Sequence, residues 1–488
     1  MNKHTKSVEV NMVLNTVRTI VSIVFPLIIF PYVTRALQLE NLGKITFAQS
    51  FIGYIGLIAS LGFTTYATRE GGKFRSDSEK MQQFADEIFT MNILTTLVAY
   101  VVLFICIAVF PNLKERQVLL VIMSASIVFS TIGVDWLNVI YEDYLYITVR
   151  SIVIQILSFI LTILLVRTPD DYYKYAAIQV GTNGIIAIMN LIHVRQYCSL
   201  HLTKDIHFRD HIKPVLVLFS NNLAVSIYLN IDNVMIGWMV GDYFGGIYSI
   251  AVKVYTVVKQ LLAAIYNVTV TRLSDYFAHQ RTGEFRQLLN QVINDMIVVA
   301  LPVSLGIFIL AEPIVEIVAG KKVMESVFPL QILAAAVPIA VFGGAIAYCV
   351  NLPLHRESVN LLSTAVGAVE NLVLNLFFIP VFKASGAALT TLFAEATVFC
   401  ILMYHIRDYF WLFDQKAIAS NAWKCLASCS GILVFSFLGY RYFSSNALLM
   451  CVFVIVCSII SYLAINLLLK NINVERPVRR ILQRFRRS

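Results

Sequence analysis

Tyr228-Leu229-Asn230-Ile231-Asp232-Asn233-Val234-Met235-Ile236, followed a few residues on by Ile247-Tyr248-Ser249-Ile250-Ala251-Val252-Lys253-Val254-Tyr255-Thr256, reads as two apolar segments in a hairpin. Both arms carry charge, and Lys259 and Gln260 lie just beyond. An ionisable side chain at bilayer depth costs at least ~2.5 kcal/mol, so each needs a partner or a water-filled cavity. A chain that keeps several such residues has the makings of a device that moves something polar across a membrane.

The surrounding sequence agrees. Of its 488 residues 58% are hydrophobic and only 14% charged, and the mean hydropathy is +0.75. Soluble domains are nearer one quarter charged, so the composition specifies a membrane protein. About fourteen segments are long and apolar enough to cross ~30 Å of hydrocarbon, among them 10–35, 44–67, 117–141, 358–380, 384–404 and 421–440. The expected fold is all-α and polytopic. An even number of spans puts both termini on one side. Lys and Arg divide about 25 to 10 in favour of that side, which predicts cytoplasmic termini; Arg150 is counted with the former and Arg116 with the latter. The net charge of +9 is then a topology signal and needs no nucleic-acid partner. The eight cysteines lie in or near apolar spans without metal-ligand spacing, so inert thiols are expected and no cofactor is implied.

The first span reads as a retained anchor, since the apolar stretch after Met1-Asn2-Lys3-His4-Thr5-Lys6 is too long for a cleavable signal. At the other end, Val478, Ile481, Leu482 and Phe485 share one helical face while Arg479, Arg480, Arg484, Arg486 and Arg487 occupy the remainder. With Pro477 in the first turn, this tail is either an interfacial amphipathic helix on anionic lipid or a frayed basic end. The segments between spans are short on the outward side and leave no room for a soluble domain.

Leu42-Gly43-Lys44-Ile45 opens the second span, and Phe244-Gly245-Gly246-Ile247 opens the eighth, each with an acid just before it, Glu40 and Asp242. The match hints at two six-span halves, an arrangement common in transporters. On this basis the chain divides into a first lobe 1–212, a second lobe 213–410, two further spans within 411–470 and a basic tail 471–488.

Phe30-Pro31-Tyr32-Val33-Thr34-Arg35-Ala36-Leu37, Asp135-Trp136 with Tyr141-Glu142, Asp232-Asn233-Val234-Met235-Ile236-Gly237, and Asn371 to Pro380 followed by Ser385-Gly386-Ala387-Ala388, Thr391 and Glu395 together resemble bacterial polysaccharide flippases of the Wzx type, within the multidrug/oligosaccharidyl-lipid/polysaccharide flippase superfamily. The resemblance covers nearly the whole chain; Lys383 departs from the glycine that family often has in the short turn. It implies an inner-membrane, non-enzymatic flippase for undecaprenyl-pyrophosphate-linked oligosaccharide, working by alternating access between two lobes and driven by a cation gradient. The implied partners are the lipid-linked substrate, membrane lipids and the polysaccharide polymerase machinery.

For such a cargo, cations would offset desolvation of the diphosphate. Arg18, Lys253 and Lys259 are the candidates, with Asn15 and Gln260 on the same polar faces. Arg18 could instead snorkel to the surface. Lys253 lies about as far from the hairpin centre as Asp232 and could pair with it, structurally or as a gate. Glu370 and Glu395 flank the turn near Phe382 at similar depth and could form a proton or Na⁺ site, or simply bond neighbouring helices. Drug export or peptidoglycan-precursor flipping are alternatives within the superfamily. A membrane polymerase or glycosyltransferase is a further one, against which the short outward loops speak.

Overall fold

The computed structural model describes residues 8–485, and all regular structure among them is helical. The chain packs as two compact units, Met1–Gly246 and Ile247–Ser488. Eleven helices among the described residues are long and apolar enough to cross a membrane, and Gln117–Gly133 is a shorter apolar one. Two of the eleven are far longer than a bilayer is thick, at 47 and 49 residues; a straight helix of that length would span about 70 Å.

In unit 1, α1 (Val8–Ser60) is broken at Gln38, where φ is 62°. It is followed by α2 (Phe63–Gly71), α3 (Ser78–Val109), α4 (Pro111–Glu115), α5 (Gln117–Gly133), α6 (Asp135–Ile140), α7 (Tyr144–Leu165), α8 (Tyr172–Val194) and α9 (Phe208–Met239). Thr148 Oγ1 donates to the Leu14 carbonyl and Tyr32 Oη to that of Val166, so the first arm of α1 runs parallel to α7. Asn41 reaches the Pro169 carbonyl and Gln49 reaches Gln179, so the second arm runs parallel to α8. Because α7 and α8 are themselves antiparallel, with Asp143 on His193 and Asp135 bonded to both Arg150 and Asn190, the chain reverses at Gln38. The expected span 117–141 is interrupted at Val134, whose φ of 36° separates α5 from α6.

The glycines picked out by the repeat meet each other. A Cβ on Gly43 would lie 1.8 Å from the Asp242 carbonyl oxygen, and one on Gly246 would lie 2.0 Å from that of Leu39. The start of α10 (Asp242–Asn267) therefore seats directly on the α1 reversal. Gly246→Val is expected to destabilise by more than the ~1–3 kcal/mol of ordinary overpacking, because its neighbours are backbone and cannot yield. Thermal melting of the detergent-purified protein checks this; an unchanged melting curve would contradict so close an approach.

α9 belongs to unit 1, whereas the sequence division places it in the second lobe. The reason is a clasp on the segment before it. Glu87, buried on α3, accepts from the His207 amide and bonds the rings of His207 and His211. Tyr66 Oη meets His211 at 2.8 Å, and Val215 packs with Phe63, Phe84 and Trp136. The hydrogen bond and charge of Glu87, with Asp210 and Asp205 nearby, hold the His207 imidazole above its ordinary value of 6.5. A raised histidine stabilises most below its unfolded pKa, and this contribution is lost as pH rises through the folded one. Amide exchange over 203–211, corrected for intrinsic rates, is therefore expected to accelerate between pH 6 and pH 8.5, and His207→Gln to flatten that dependence.

Unit 2 contains the remainder of α10, then α11 (Val270–Ala278), α12 (Thr282–Ile309), α13 (Ala311–Ala319), α14 (Val327–Ile346), α15 (Glu357–His405), α16 (Gln415–Ser428), α17 (Ser430–Phe443), α18 (Ala447–Leu468) and α19 (Ile472–Phe485). α15 is a hairpin. Its break is Lys383, with φ 55° and ψ −128°, the position where glycine would be at ease. A Cβ on Gly386 would lie 2.3 Å from the Phe378 carbonyl oxygen, although eight residues of straight helix would put them about 12 Å apart. Across the hairpin Thr390 Oγ1 donates to Asn375 Oδ1, and within the first arm Asn375 Nδ2 donates to Asn371 Oδ1. In hydrocarbon such bonds replace the missing hydrophobic drive between helices. A second buried network, Asn294, Asn421, Asn466 and Asn471, ties α12, α16, α18 and the start of α19 together. The tail is helical, as one of its two readings expects, but α19 begins at Ile472. Pro477 therefore sits inside the helix rather than in its first turn. Of the expected apolar face, the side chains of Ile481, Leu482 and Phe485 lie outside the described residues.

Candidate functional site

Each unit holds a cluster of charge within its spans. In unit 1 the centre is Asp135, placed at the α5–α6 break. Arg150 Nη1 donates to its Oδ1 at 3.2 Å, Asn190 Nδ2 to the same oxygen at 3.2 Å, and Arg18 Nη2 lies 3.7 Å from Oδ2. Arg150 also bonds Asn190 and stacks over Tyr146, and Asn138 Nδ2 donates to Asn190. Arg18 thus shares an acid with a second arginine. Arg150, counted from the sequence on the side of the termini, is buried. Its placement is the larger correction, because α7 begins at Tyr144 and carries Arg150 into the span region.

A second acid–base pair was also hidden. Arg116, expected in a solvent loop, puts Nη2 2.8 Å from Asp242 Oδ2, and both side chains are largely buried. Its guanidinium lies over the Phe47 ring. Just outside the spans, Asp143 accepts from Tyr197 Oη and bonds His193. Burial alone would raise its pKa, but these bonds outweigh it and hold the carboxyl below its usual range.

In unit 2, Lys259 Nζ lies 2.5 Å from Glu395 Oε1, and Tyr255 Oη donates to the same oxygen at 2.8 Å. Lys259 and Tyr255 stand one turn apart on α10, and Glu395 lies on the second arm of α15, twelve residues beyond the reversal. One turn or two nearer the reversal, Tyr248 and Thr391 make the same crossing at 3.1 Å. Lys259 had no partner in its own hairpin by sequence; its partner comes from 136 positions away. Glu395 is matched by a cation. Glu370 is half-buried on the first arm and makes no ion pair or hydrogen bond among the described residues.

The other candidates are distributed. Asp232 is buried on α9, Lys253 is half-buried on α10, and Asn15 and Gln260 are exposed. Neither Asn15 nor Gln260 belongs to either charge cluster.

A family model described as polysaccharide biosynthesis protein matches residues 10–277, more than half of the chain. The chain belongs to that family. The polysaccharide biosynthesis resemblance of the motifs is thereby borne out. Two curated relatives are named for O-antigen transport. That of Shigella dysenteriae is 21% identical over 395 residues, which cover 78% of this chain and 96% of the relative. That of Escherichia coli K12 is 23% identical over 413 residues, covering 84% and 99%. Among solved structures, the lipid II flippase MurJ in an inward closed conformation superposes with a TM-score of 0.78 over 94% of this chain and 99% of that one, at 14% identity. An inward-facing multidrug-resistance transporter of the MATE family in the MOP superfamily superposes at 0.56 over 78% and 94%, at 13% identity. At such identities the structures establish a shared polytopic helical fold for this polysaccharide biosynthesis protein.

Proposed function

We propose that the chain is a flippase that carries undecaprenyl-pyrophosphate-linked oligosaccharide repeat units from the inner to the outer leaflet of a bacterial cytoplasmic membrane, with both termini in the cytoplasm. The observation that carries this reading is the match, over nearly their whole length, to two relatives named for O-antigen transport. The fold shared with a lipid II flippase supports it, and so does the Lys and Arg bias toward the side of the termini.

The Lys259–Glu395 pair supplies a physical means. A diphosphate presents the same kind of anionic oxygen as Glu395 and competes with it for Lys259. When Lys259 turns to the cargo, the buried Glu395 carboxylate loses its counter-charge and is left to the coupling cation, a proton or Na⁺. Cargo loading and cation binding are then linked at one site, and release of the cargo returns the lysine.

Deleting the gene in its own host tests the reading. Loss of surface polysaccharide, with chemically complete lipid-linked repeat units accumulating in the cell, is expected. Unchanged surface polysaccharide would contradict it. Accumulation of chemically incomplete units would favour a polymerase or transferase instead.

A further inference from the structure

Unit 1 contains a cleft of about 370 Å³ that the charged groups above do not use. It is bounded by the second arm of α1, by α3, α5 and α8, and its polar lining includes Gln49, Asn92, Ser126, Ser130, Gln179 and Asn183. No lining residue is acidic or basic. We propose that this cleft binds the sugar residues of the cargo, apart from the cations that hold its diphosphate. The inference rests on the flippase reading above and names a subsite within it.

Three observations carry it. The first is chemical. Amides and hydroxyls each both donate and accept, which matches a neutral polyhydroxyl group. A diphosphate would need cations, and an organic cation would need a carboxylate; the cleft offers neither. The second is unspent hydrogen-bonding capacity. Asn92 Oδ1 is buried with no hydrogen-bond partner among the described residues. Gln49 donates from Nε2 to Gln179 at 2.7 Å and keeps its carbonyl oxygen for another donor. A buried acceptor left unpaired is costly, and a sugar hydroxyl would satisfy it. The third is room. Gly53 and Gly56 line the cleft on α1. A Cβ on Gly53 would meet nothing within 4 Å, and one on Gly56 only the Ile127 side chain at 4.0 Å. These glycines therefore do not serve close helix packing, unlike Gly43 and Gly246; their missing side chains make the space. Ile52, Met123 and Ile127 complete the wall and offer an apolar surface to the C–H face of a sugar ring. The volume falls within the ~300–1,000 Å³ of small-molecule sites. Gln49 stands eleven residues from the α1 reversal, about 16 Å along the helix, near half the ~30 Å hydrocarbon depth.

The test uses the full chain in lipid nanodiscs and two soluble probes, farnesyl pyrophosphate and the same molecule bearing a neutral disaccharide. The wild-type protein is expected to bind the sugar-bearing probe at least about tenfold more tightly. Gly53→Leu, which fills the cleft, and Gln49→Leu with Gln179→Leu, which removes its amides, are each expected to reduce that preference to within about twofold while leaving the affinity for farnesyl pyrophosphate unchanged. Both variants retaining the wild-type preference would overturn the proposal. So would a wild-type protein that binds the two probes equally, and in that case the flippase reading would stand. Failure of the wild-type protein to bind either probe would overturn both.

Discussion

Lys259→Ala is expected to abolish export, and the cause can be separated from a loss of fold. Glu395 is buried, and removing one partner of a buried ion pair costs ~3–5 kcal/mol because the other charge is left uncompensated. The single variant should therefore melt early as well as fail to transport. The double variant Lys259→Met, Glu395→Leu removes both charges, and such replacements are often neutral or stabilising. It is expected to melt at or above the wild-type temperature, yet to transport at least about tenfold more slowly, because it lacks both the cation for the diphosphate and the carboxylate that exchanges with it. A double variant with wild-type transport would reduce the pair to a strut between α10 and α15.

Around Asp135 the expected effects are unequal, and their order is the test. Asp135→Ala strands the buried Arg150 and leaves it facing Arg18. Asp135 is more than a third exposed, so the loss should lie near the lower end for a broken buried pair, about 3 kcal/mol. Arg150→Met leaves Arg18 to neutralise Asp135 and should cost less. Arg18→Ala removes a half-exposed partner at 3.7 Å and should cost least in stability. Melting temperatures in the order Asp135→Ala lowest, then Arg150→Met, then Arg18→Ala would support this arrangement. Equal shifts would contradict it.

The parts of the fold legible in the sequence were those that hydrocarbon imposes. Long apolar runs gave the helices. The reversals at Gln38 and Lys383 were expected because no bilayer accommodates a straight helix of the length of α1 or α15. The repeat glycines Gly43 and Gly246 were visible as a motif, though nothing in the sequence said that they would touch. The charge pairs were less legible, for a definite reason. A span flanked by lipid and by other apolar helices shows little amphipathic period, so depth must be inferred from distance to a span end. That rule put Arg150 at the terminal end of its span and Arg116 in a loop, although Arg150 is buried against Asp135 and Arg116 lies against Asp242. Lys259 and Glu395 are separated by 136 positions, and only the packing of α10 on α15 joins them. The neutral cleft left no signal, since Gln49, Ser130 and Asn183 each read as an isolated polar residue on an apolar helix.

The most direct measurement is leaflet exchange in sealed proteoliposomes, using the lipid-linked repeat unit extracted from the source bacterium and a membrane-impermeant enzyme that trims only outward-facing glycan. The account predicts that the wild-type protein exposes the inner-leaflet pool with its glycan chemically unchanged, while the equally stable Lys259→Met, Glu395→Leu protein leaves that pool protected. A folded wild-type protein that leaves the pool protected, or that returns a covalently altered glycan, would contradict it.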